Sequence, residues 1–148
     1  MNKKKYFFIF LISLFISVAY QVHAQSNTEW QPIYLTPGGG NTIDGVEASF
    51  QVNTCNGEDV IYIKFLNHNE YAVKLEWFDA VFTQELKWIN NEQPDEKKSL
   101  QLIANKEIVG KCSNNLYPEL VIKVKKFVAE KKDVKRYLVS RLIVISVQ

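Results

Sequence analysis

Apolar and polar side chains alternate over residues 46–53, with Val46, Ala48, Phe50 and Val52 on one side and Glu47, Ser49, Gln51 and Asn53 on the other. A period of two puts one face of an extended strand on a core and the other in water. Asn56-Gly57 follows at once, the pair that best accepts the positive φ of a two-residue hairpin turn. Residues 60–66 then run back, apolar on both faces except at Lys64, as a central strand does. Asn67-His68-Asn69-Glu70 turns the chain again. Tyr71, Val73, Leu75 and Trp77 then alternate with Ala72, Lys74 and Glu76. The expectation is a three-strand antiparallel meander.

Residues 30–35 predict an edge strand, because Pro32 lacks a ladder donor and Pro37-Gly38-Gly39-Gly40 ends the run. Residues 86–89 predict a short strand before the polar loop 90–98, and Leu100 and Leu102 mark another. Residues 137–147 are rich in Val, Ile and Leu on both faces, which predicts a strand inside a sheet. Residues 120–128 fit two periods: Leu120, Val121, Val124, Phe127 and Val128 make a helical stripe, while Leu120, Ile122 and Val124 alternate as in a strand. The β-branched content of residues 121–124, and Pro118 before them without a clear N-cap, favour the strand. Residues 129–135 then become the polar turn of a terminal hairpin.

Short strands of this kind, seven or eight in number and separated by turn signals, predict an all-β chain folded as an antiparallel β-sandwich. In strand number and spacing it resembles the immunoglobulin-like and fibronectin type III-like sandwiches. The resemblance is one of architecture and implies no binding residues. The antibody-type order of Cys, Trp and Cys is absent, since Trp77 does not sit on the strand directly after Cys55.

The N-terminus changes the compartment. Lys3, Lys4 and Lys5 precede an apolar run over residues 6–20, and Val22-His23-Ala24 follows it, which predicts a signal peptide over residues 1–24 cleaved after Ala24. The run is shorter than the roughly 20 residues of a spanning helix. The first cysteine, Cys55, lies too far along to be acylated after cleavage. The expected product is residues 25–148, one soluble domain, secreted or periplasmic, with no later transmembrane span.

Three of the 18 basic residues fall in the leader and none of the 16 acidic ones does, so the product is near neutral rather than at the whole-chain +2. Its basic residues concentrate in residues 111–148, its acidic ones in 25–110. Near-neutral charge and export both oppose nucleic-acid binding.

Cys55 and Cys112 are the only cysteines, and in an oxidising compartment they predict a disulfide. The bridge is geometrically allowed if the strand from Val60 lies antiparallel to the one from Leu100, as in a Greek key. Catalytic chemistry finds little support. One histidine, His68, survives cleavage and falls in a turn, and no nucleophile elbow accompanies it. One histidine and two bridged cysteines cannot build a zinc site. Gly38-Gly39-Gly40 lacks the Lys-Ser/Thr of a phosphate loop, and no cofactor motif is found.

Two binding readings follow. The first is a non-catalytic protein-interaction module of the cell envelope or exterior, working through its loops, such as 90–98, or a sheet edge near Trp30. The alternative is a ligand-binding sandwich for glycans or anionic envelope components, using Trp30 and Trp88 with the basic residues Lys123, Lys125, Lys126, Lys131, Lys132 and Arg136 of the C-terminal hairpin. A guard against edge-to-edge aggregation also explains lysines on a hairpin, and Trp77, in the apolar register, reads as core.

Overall fold

Two short strands, β1 (Gln31–Pro32) and β2 (Thr42–Ile43), pair with the first long one, β3 (Val46–Cys55). The computed structural model describes residues 29–113 and 116–147. The expected leader, residues 1–24 with its cut after Ala24, lies outside them. The turn at Asn56 and Gly57 forms with φ of 51° and 81°. It returns the chain as β4 (Glu58–Asn67) in unbroken antiparallel register with β3, from Cys55 opposite Glu58 to Val46 opposite Asn67.

The meander stops there. The next strand, β5 (Val73–Thr83), belongs to a second sheet, where it pairs antiparallel with β6 (Trp88–Asn90) and β7 (Lys98–Leu102). Asn67 directs the crossing. Fully buried, it donates through Nδ2 to the carbonyls of Tyr71 at 2.9 Å and Ile103 at 3.2 Å, and its Oδ1 accepts from the Asn69 amide at 3.0 Å. Those bonds satisfy the turn's own backbone where a hairpin ladder to β4 would otherwise do so.

From the second sheet the chain returns to the first as β8 (Glu107–Val109) and β9 (Val121–Lys123), both on β4, and ends in the second as β10 (Val134–Ser146) on β5. Every pairing in the two sheets is antiparallel, and their facing sides build one core. Phe65 of β4 meets Trp77 of β5 edge to face at 5.3 Å, and Phe50 of β3 meets Tyr137 of β10 at 6.2 Å. Trp77 is core, as its register predicts.

Four other expectations change. The edge strand over residues 30–35 shortens to β1. The strand at Leu100 is β7 and pairs with β5, so it is β8 that lies antiparallel to β4. The terminal hairpin is absent, because β9 and β10 lie in different sheets; single 3-10 turns at Val124–Lys126 and Lys131–Asp133 carry the crossing, and no helix forms there. Finally, β10 lies at a sheet edge rather than inside. Its outward Ile143 and Ile145 stay 48% and 43% exposed, which explains an apolar pattern on both faces without a second neighbour. Register shifts between Val134 and Arg136 and between Ser140 and Ile143 kink this edge, with Arg141 at φ 51° in the second. Such bulges blunt an open edge against further pairing.

Cys55 and Cys112 are disulfide-bonded, with Cα atoms 5.5 Å apart. The bridge ties the β3–β4 turn to the segment between β8 and β9.

Candidate functional site

One transverse row of the second sheet gathers the site. Phe82 on β5 lies opposite Trp88 on β6 and opposite Arg136 on β10, so three strands put these side chains side by side on the face turned away from the core. In the next row Leu138 lies opposite Ala80. The loop after β1 supplies Tyr34, Thr36, Pro37 and Gly39, and together these groups line an open concavity of about 640 Å³. The loop is held locally: Leu35 and Thr36 donate their amides to the Gly40 carbonyl, and Gly40 donates its own to Thr36 Oγ1 at 3.0 Å. Gly39 takes φ 81°, a conformation costly for any residue with a Cβ.

Trp88 is 52% exposed. The Arg136 guanidinium lies 5.1 Å from the centre of the Tyr34 ring, and the Lys135 ammonium 5.8 Å from that of Phe82. Among the described residues, no carboxylate reaches Arg136. The shelf therefore offers flat apolar faces beside a cation whose planar fork is still open to a carboxylate or carbonyl.

Of the residues suggested by the sequence, the structure brings Trp88 and Arg136 together and leaves the rest apart. Trp30 is partly buried, on the other sheet, with Lys64 Nζ 5.1 Å over its ring. Lys123 and Lys125 both hold Glu58, at 2.6 and 2.5 Å. Lys126 pairs with Glu96, Lys131 with Asp59, and Lys132 with Glu130. Each of these five lysines has a carboxylate partner, Lys123 and Lys125 sharing one, and none lines the shelf. The two hydrogen bonds from Lys123 and Lys125 hold the Glu58 carboxyl at about 2. Phe82 and Leu138 were not singled out by sequence reasoning; the apolar series Phe78, Ala80, Phe82, out of phase with the inward Trp77 and Val81, was the available signal.

A second polar cluster lies inside the sandwich. Asp79 of β5, 4% exposed, accepts through Oδ1 from the Tyr137 hydroxyl at 2.6 Å and the Trp77 indole N–H at 3.2 Å. Its Oδ2 lies 2.7 Å from Lys98 Nζ of β7, which also donates to the Glu119 carbonyl at 2.7 Å. Burial pushes the Lys98 ammonium down from its ordinary value against the pull of Asp79. Burial and then the Asp79 charge push the Tyr137 hydroxyl well up.

His68 sits on an exposed turn with Nε2 3.1 Å from Glu47 Oε2. Among the described residues, no three His, Cys, Asp or Glu side chains are placed to hold a metal ion, and no helix is long and apolar enough to cross a membrane.

No family model matches this chain, and no curated protein matches it. Among solved structures it is similar to the crystal structure of a DUF1425 family member from Shewanella sp. pv-4, with 12% sequence identity and a TM-score of 0.41, over 67% of this chain and 75% of that one.

Proposed function

We propose that this chain is exported through its N-terminal leader and acts, as an immunoglobulin-like or fibronectin type III-like sandwich, as a non-catalytic protein-interaction module of the cell envelope or exterior. The shelf is its contact surface. The observation that carries this reading is the clustering of Trp88, Tyr34 and Arg136 on one open face. These are the residue types that dominate binding energy at protein interfaces, where a rigid aromatic anchor is desolvated and an arginine fork bonds the partner's backbone or acids. The leader pattern and the disulfide are compatible with an oxidising compartment.

The test is recovery of partners from envelope extract by the processed domain and its variants in parallel. A stoichiometric protein should bind the wild type and a Lys123→Glu, Lys125→Glu variant, and should be lost with Trp88→Ala and Arg136→Glu. Equal recovery by all four sinks the assignment.

A ligand-binding reading is favoured by one observation, the exposed flat face of Trp88 over a concavity, which suits a sugar ring. Its anionic form now rests on Arg136 and Lys135 alone. Saturable binding of an oligosaccharide that Trp88→Ala abolishes would favour it over the protein partner.

A further inference from the structure

The two oxygens of Asp79 are served differently. Oδ1 receives two neutral donors, the Tyr137 hydroxyl and the Trp77 indole N–H, while Oδ2, among the described residues, faces only the Lys98 ammonium. We propose that Lys98 and Asp79 are the site of an intramolecular isopeptide bond, a covalent cross-link between β7 and β5 inside the sandwich.

The chemistry balances without a co-reactant. Lys98 Nζ hands a proton to Oδ2 and becomes an amine, whose lone pair attacks Asp79 Cγ. Negative charge then develops on Oδ1, where the Tyr137 and Trp77 donors already point, an arrangement that stabilises a tetrahedral oxyanion. Nitrogen releases a second proton to Oδ2, the Cγ–Oδ2 bond breaks, and one water leaves. Nothing is oxidised or reduced.

The product fits the same partners. The amide oxygen keeps both donors on Oδ1, and its one N–H has the Glu119 carbonyl, 2.7 Å from Nζ, to bond. Every buried polar atom stays satisfied while two buried charges disappear, which removes the desolvation cost that burdens an interior ion pair. Burial also favours the reactive amine over the ammonium at Lys98, supporting the first step.

Intact mass of the exported chain, reduced and denatured, tests this directly. The wild type should be lighter by one water than its processed sequence requires, and a digest should yield a branched peptide joining Lys98 to Asp79. Lys98→Arg and Asp79→Ala should each restore the full mass, a reading that does not depend on whether the variant folds. A wild-type chain of full mass, or a water loss that maps elsewhere or persists in Lys98→Arg, overturns the proposal.

Discussion

Tyr137 of β10 donates its hydroxyl to Asp79 Oδ1 of β5 at 2.6 Å, with the phenol ring wholly enclosed between the sheets. Strand-to-strand ladder bonds already join β10 to β5, so this bond adds the satisfaction of a buried carboxylate rather than new topology. Tyr137→Phe keeps the ring and its contact with Phe50 but leaves Oδ1 with the Trp77 donor alone. In a Lys98→Arg background, where Asp79 is still a carboxylate, the expected cost is about 2 kcal/mol, the scale for a hydrogen bond to a charged group. It is measured as a lower urea midpoint at unchanged slope; a loss within error of zero would mean that the carboxylate finds another donor.

The shelf separates function from stability. Trp88 is half exposed on a three-residue strand, so Trp88→Ala removes about half of what a core tryptophan buries and should cost no more than about 2 kcal/mol of stability. Partner or ligand binding should fall at least tenfold, the loss typical of an aromatic anchor. Thermal unfolding and a binding titration on the same sample decide it. A variant that unfolds early would place Trp88 in the core's service instead.

Much of this architecture was legible in the residues because it follows from local rules. The alternation at Val46, Ala48 and Phe50 sets the inward face, Asn56-Gly57 sets the hairpin, and the one pair of cysteines sets the disulfide. Sheet membership was not legible. A turn such as Asn67-His68-Asn69-Glu70 serves a hairpin or a crossing equally well, and here the choice depends on bonds from Asn67 to Ile103, distant in sequence. The site was half legible for the same reason. Trp88 and Arg136 stood out by type, but they meet only because both register against Phe82. The lysines stood out by number, yet their acids come from other elements, as with Glu58 for Lys123 and Lys125.

The disulfide closes a long loop, its cysteines being separated by 57 in sequence. On the chain-entropy model, removing it with Cys55→Ser and Cys112→Ser should cost about 4 kcal/mol. Denaturant unfolding of oxidised wild type and double variant measures the difference. A cost below about 1 kcal/mol would show that the open chain is already restrained around this turn.

Acid should weaken the fold through Glu58. Its folded-state pKa of about 2 lies below the ordinary 4.5, so its contribution to stability is full above about 4.5 and is lost as the pH falls from there toward 2. Glu76, held by Lys74 and Lys97 and likewise at about 2, acts in the same window and direction. Melting temperatures between pH 5 and pH 2 should therefore fall less steeply in Glu58→Gln than in wild type. Parallel curves would show that Lys123 and Lys125 gain nothing from this carboxylate beyond what solvent and salt screen away.

Two glycines should respond oppositely to what a turn-based reading implies. Gly57 lies at φ 81° in the tight turn but faces open space, so Gly57→Ala costs only the backbone strain of that conformation, about 1–2 kcal/mol. Gly110 has no positive φ, yet a Cβ there would stand 2.2 Å from the Leu120 carbonyl oxygen, where the chain after β8 passes the 3-10 turn at Pro118–Leu120. Both sides of that contact are backbone, pinned by the Gly110 amide on Ile63 O and by the pairing of β9 with β4. Neither side can rotate away, so Gly110→Ala should cost about 3 kcal/mol, at the upper end for overpacking. Side-by-side urea curves give the order. If Gly57→Ala proved the more damaging of the two, the close approach of residues 110 and 120 would have to be relaxed in solution.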